Sequence, residues 1–72
     1  MVEILTRDLE MRAKAALASS SIYVLRELTV ERSGVMLLLS GRVDSFYHKQ
    51  LAQEAVRAVA EGVQVVNTID VD

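Results

Sequence analysis

Hydrophobic and polar positions alternate with a period that changes along the chain, and each period predicts an element. From about Glu3 to Ser19, Leu5, Leu9, Ala13, Ala16 and Leu17 recur at three- and four-residue spacing, the single stripe of a helix. Arg7, Glu10 and Lys14 fall on the other side, with Glu10 four residues before Lys14 as a favourable surface pair. The run Ser19-Ser20-Ser21 ends the helix, because short hydroxyl side chains compete for backbone hydrogen bonds. Ile22 to Arg32 reads as a strand, clearest where Leu28, Thr29, Val30 and Glu31 alternate, with Tyr23 to Glu27 an irregular approach to it. Ser33-Gly34 supplies a turn, Gly34 being free to take the positive φ of a tight hairpin.

Val35 to Val43 is almost continuously apolar, the pattern of a strand buried on both faces, and it belongs in the middle of the sheet. Asp44-Ser45 is a helix-start signal, since either side chain can cap free backbone N–H groups. The helix that follows, Phe46 to about Glu61, gathers Leu51, Ala52, Ala55, Val56 and Val59 on one face, with Gln53, Glu54 and Arg57 turned away. Gly62 stops it. Val63 to Val71 forms the last strand, with Val65, Ile69 and Val71 on one side and Thr68 and Asp70 on the other. Strand, helix, strand in that order predicts a right-handed crossover and a parallel pair. The expected architecture is α+β: an αββαβ two-layer sandwich, a three-stranded mixed sheet with two helices on one face.

Length restricts this to one domain spanning all 72 residues. With 51% hydrophobic residues and only two Tyr and one Phe, the core must be aliphatic. The absence of cysteine removes disulfides, thiolate chemistry and Cys-based zinc sites. A formal charge of −2, with both signs spread along the chain, gives no bulk attraction to nucleic acid. Met1 to Leu9 mixes Glu3, Arg7 and Asp8 into its apolar residues and does not read as a signal peptide. The chain as written is therefore expected to stay in the cytoplasm, and in the cell envelope or periplasm if it is cut from a longer protein.

The second half carries a signature: Leu39-Ser40-Gly41-Arg42-Val43-Asp44-Ser45, a helix containing Ala52 and Ala55, then Gly62-Val63-Gln64-Val65-Val66-Asn67-Thr68-Ile69-Asp70-Val71. This resembles the BON domain, named for bacterial osmotically induced and nodulation proteins, and the likeness covers essentially the whole chain. It implies the same helix–strand–strand–helix–strand order. It also implies a non-enzymatic module of the bacterial envelope that binds phospholipid or mediates assembly of larger proteins. The motif residues have physical reasons of their own. Gly41 inside a strand marks a bend or a close approach by another backbone. Gly62 ends the helix, and the amide of Asn67, polar in an apolar strand, is expected to bond to neighbouring backbone.

Two surfaces are candidates for function. Arg42, Phe46, Tyr47, His48 and Lys49 collect cations and aromatic rings around the start of the second helix, a combination suited to a phospholipid membrane surface. The alternative is that Phe46 or Tyr47 packs against the sheet edge and the rest is solvated. Met36 and Leu38 lie on the sheet face away from the helices, where exposed apolar side chains favour a protein partner or a homo-oligomer. The alternative there is that Arg26 or Arg32 folds over them. His48 is the only histidine, so neither a metal site nor a nucleophilic triad is expected, and no cofactor. Asp70 and Asp72 are expected to be solvated carboxylates at a chain end. The element order is comparable to that of a KH domain, but the Gly-x-x-Gly clamp such an RNA binder needs is missing.

Overall fold

The computed structural model describes residues 2–72, with side chains described from residue 8 onward. Helix α1 spans Val2–Ala18 and buries Ala13 and Leu17, with Leu9 packed against the same core. The expected positions of Leu5 and Arg7 lie outside the described side chains. Its last turn ends as the serine run predicts, Ser19 Oγ turning back to donate to the Ala15 carbonyl at 2.8 Å. On the outer surface Arg12 pairs with Asp8 at 3.0 Å, and Lys14 lies 3.8 Å from Glu10.

The following segment departs from the expected strand. Tyr23–Glu27 is a 3-10 helix, and only Thr29–Ser33 forms strand β1. The reason is legible in retrospect. Ile22, Leu25 and Leu28 recur every three residues, and a 3-10 helix stacks such residues on one side. Leu25 is buried, and Ile22 and Leu28 pack against the same core.

Strand β2 (Met36–Ser40) pairs antiparallel with β1, Ser33 opposite Met36, so Gly34 and Val35 form a two-residue loop. Gly34 has φ 62°, the positive value a II′ hairpin needs at its first loop position. After Gly41 the chain resumes as β3 (Arg42–Val43). Helix α2 (Phe46–Val59) follows, then β4 (Gln64–Asn67) and β5 (Asp70–Val71). The three-stranded sheet has the order β1-β2-β4, with β2 in the middle, as its continuous apolarity predicts, and β2–β4 parallel, as the strand–helix–strand order predicts. β3 and β5 form a second, parallel pair with the same residue offset as β2 and β4. The amides of Thr68, Asp70 and Asp72 donate to the carbonyls of Leu39, Gly41 and Val43 at 2.9, 2.9 and 3.0 Å, so one ladder runs through both pairs.

Gly41 is the bend in that ladder. Its φ is +128°, and a Cβ there would lie 2.7 Å from Leu28 Cδ2. Both the backbone angle and the close approach demand glycine.

Opposed residues in the sheet share a face, which sorts the side chains. Val30, Leu37, Leu39 and Val65 face the helices, and Leu37 and Leu39 are fully buried at 0% exposure. α1 packs over β1 and α2 over β4, and the two helices also pack on each other. Ala52 and Val56 close the core from α2 and Ala60 from its C-cap, while Val43 and Ile69 close it at the β3–β5 end. One contact across the layers was not foreseen: Glu10 Oε2 accepts the Arg32 backbone N–H at 2.8 Å, tying α1 to the outer edge of β1.

Candidate functional site

The start of α2 is built by its cap. Ser45, extended at φ −157° and ψ 154°, accepts the His48 N–H on its Oγ at 3.1 Å, and its carbonyl accepts the Lys49 N–H at 3.2 Å. The phase of the helix is then fixed by the buried Ala52 and Val56. At about 100° per residue, His48 and Lys49 flank that buried direction, and Phe46 and Tyr47 point away from it. The exposures follow: Phe46 is 76% and Tyr47 68% exposed, whereas His48 and Lys49 are half-buried. Neither ring packs on the sheet edge.

His48 is held twice. Its backbone caps against Ser45, and its Nδ1 lies 2.6 Å from Asp44 Oδ1. That hydrogen bond is the main reason the Asp44 carboxyl sits below its ordinary value of 3.8, against a smaller opposing effect of burial. The Tyr47 and His48 rings lie 5.7 Å apart, tilted by 47°. Arg42, exposed on β3, reaches Asp72 with Nε 3.5 Å from Oδ1, and its register partner on β5 is Asp70. The cations expected here are therefore interleaved with Asp44, Asp70 and Asp72. The patch is aromatic at its tip and of mixed charge around it.

Asn67 fixes this turn against the sheet. Its Nδ2 donates to the Lys49 carbonyl at 3.0 Å and to Gln53 Oε1 at 3.2 Å, and its Oδ1 accepts the Ile69 N–H at 3.1 Å. The expected backbone bonding of Asn67 is present, with the helix as one of its partners. Gln53, expected to turn away, instead faces this amide and is half-buried.

The second surface lies on the helix-free side of the sheet. Met36 and Leu38 are there, but each is half-buried by its neighbours, with Ser33 and Gln64 beside Met36 and Glu31 and Val66 beside Leu38. Neither arginine covers them. Arg32 lies opposite Leu37 on the helix side, and Arg26 donates from Nε to the Ser20 carbonyl at 2.7 Å while its guanidinium sits 5.1 Å over the Tyr23 ring. Val66 joins Met36 and Leu38 on this side, a residue that two-residue counting along β4 from Gln64 would have placed there. Gly34 and Gly62 serve turns, and a Cβ at either would meet open space, with Gly62 at φ +86°.

Among the described residues there is no group of three or more His, Asp or Glu able to hold a metal ion. His48 has Asp44 as its partner through Nδ1, and the Ser45 hydroxyl accepts the His48 backbone N–H at the cap. No described helix is long and apolar enough to cross a membrane.

A search of curated proteins returned no match. Comparison with protein families matches residues 6–72 to the BON domain, nearly the whole chain. The matched span includes the bend at Gly41, the capped turn at Ser45 and the Asn67 clamp, and this chain belongs to the BON domain family.

Proposed function

We propose that this domain is a non-enzymatic binding module that docks on phospholipid membrane surfaces through the first turn of α2. BON domains are in general binding modules rather than enzymes. What carries the membrane reading is the pair Phe46 and Tyr47, adjacent, outward and 76% and 68% exposed on a turn rigidly held by Ser45 and Asn67. Rings of this kind partition into the headgroup region. Burying one large apolar side chain is worth about 1.5–3 kcal/mol, against about 1 kcal/mol for one basic residue near an anionic surface. With Arg42 already facing Asp72, the rings dominate, and Arg42 and Lys49 act as their cationic surround.

The test is vesicle co-sedimentation with anionic and neutral liposomes at low and high salt. Docking led by the rings predicts binding to both, stronger on anionic vesicles, and lost on replacing Phe46 and Tyr47 together by Ser. Equal binding by that double variant overturns the proposed site.

A second reading, a protein partner or a second copy on the helix-free face, is favoured by the strip of Met36, Leu38 and Val66. Sedimentation showing a monomer at high concentration, unchanged by Met36→Lys, would count against self-assembly there.

A further inference from the structure

The membrane reading leaves one feature of the turn unused: an acid and an imidazole, 2.6 Å apart, set beside the two outward rings. An ionised carboxylate can only accept a hydrogen bond, so His48 Nδ1 carries the proton of that contact and Nε2 remains available to gain a second one. While Nε2 is unprotonated the pair carries the full negative charge of Asp44, next to the rings that would meet the bilayer. A proton taken up on Nε2 turns the pair into a neutral ion pair and removes that repulsion from an anionic surface.

We propose that engagement of anionic membranes by this turn is proton-coupled, strengthening as the Asp44–His48 pair takes up one proton. This rests on the membrane reading and adds its regulation. The surrounding charges leave the pair as the adjustable one. On α2 itself the nearest ionisable neighbours in sequence are Tyr47 and Lys49. On β3 and at the chain end Arg42 faces Asp72, with Asp70 on β5. The described charges of α1 sit in the pairs Arg12–Asp8 and Lys14–Glu10, the 3-10 helix carries Tyr23, Arg26 and Glu27, and β4 carries no ionisable side chain. Asp44 sits below its ordinary value of 3.8, chiefly through its hydrogen bond to His48, and is ionised throughout the range in which imidazoles exchange their proton. Binding and protonation then help each other reciprocally, since an anionic surface also attracts protons.

The experiment is co-sedimentation with anionic and neutral vesicles at about pH 8 and about pH 5, the span of imidazole titration. One unit of charge near an anionic surface predicts about fivefold tighter binding at the lower pH, with no change on neutral vesicles. His48→Gln should bind anionic vesicles equally at both pH values. Asp44→Asn, a change at an exposed position, should bind at the higher pH about as the parent binds at the lower one. Parent binding that is the same at both pH values overturns the coupling and leaves the membrane reading intact. A pH dependence that survives in His48→Gln overturns it too, assigning the proton elsewhere. No binding by the parent at either pH removes both the coupling and the membrane reading.

Discussion

The two apolar displays of this domain are exposed for different reasons. On the helix-free sheet face, Met36, Leu38 and Val66 are half-buried by strand neighbours such as Glu31 and Gln64, so part of their surface is hidden without any partner. Phe46 and Tyr47 have no such cover. They stand out because Ala52 and Val56 set the rotation of α2, which turns both rings away from the core. A sheet shelters its outward residues by lateral contact at a strand spacing of about 4.8 Å. The first turn of a helix, with nothing before it but a cap, cannot. Two large rings left in water cost solubility and offer no return in folding, which is why the helix start and not the sheet face leads as the binding surface.

The sharpest break of that comparison is reciprocal substitution. Replacing Phe46 and Tyr47 by Ser removes two ring burials of about 1.5–3 kcal/mol each and should lower vesicle affinity well over tenfold. The same double change should leave folding stability within about 0.5 kcal/mol, because neither ring contributes to the core. Paired thermal melts and vesicle titrations read both quantities, and a large drop in melting temperature would mean that the rings pack more than their exposure implies.

Next in size is Asn67→Ala. It deprives the Lys49 carbonyl, Gln53 and the Ile69 amide of their partner, and an unmet buried group costs about 1–3 kcal/mol. Stability should fall by that order. Vesicle binding should fall too, by less than for the ring variant, since the turn loosens while its rings remain. Hydrogen exchange at Ile69 should rise; an unaltered rate there would remove Asn67 from its role as the clamp.

The sequence disclosed most of this arrangement through period and punctuation. Continuous apolarity placed β2 at the centre, Asp44-Ser45 announced the helix, and Gly41 announced the bend. What stayed hidden had short range or the wrong apparent period. Ile22, Leu25 and Leu28 repeat every three residues, which weak alternation nearby masked as a strand. The contact of Glu10 with the Arg32 amide joins residues of separate layers, and no local pattern marks it. The aromatic–basic cluster was visible as composition, but not its internal neutralisation, because Asp72 reaches Arg42 only after the chain has crossed over and returned alongside β3.

Leu38→Ser sharpens the comparison from the other side. Leu38 is half-buried between Glu31 and Val66, so truncation to a polar group should cost about 1 kcal/mol of stability. Vesicle binding should not change. A loss of vesicle binding without loss of stability would transfer the membrane contact to the sheet face and reverse the ranking of the two surfaces.

The smallest effect lies in acid. Asp44 titrates below its ordinary value of 3.8, chiefly through its hydrogen bond to His48. A carboxyl depressed in the folded state contributes stability that is complete above the unfolded value and is lost as pH falls through the lowered folded one. The contribution of this pair is therefore intact at neutral pH and fades only below about pH 4, near the unfolded carboxylate value. Since Asp44 is solvent-exposed, the change is small. Asp44→Asn, which lacks this contribution at every pH, should lower the neutral plateau slightly, meet the parent curve in acid, and so flatten the acid limb. If Asp44→Asn leaves the acid limb with the shape of the parent curve, the Asp44–His48 contact holds no special place in the turn, and the two surfaces differ in their apolar side chains alone.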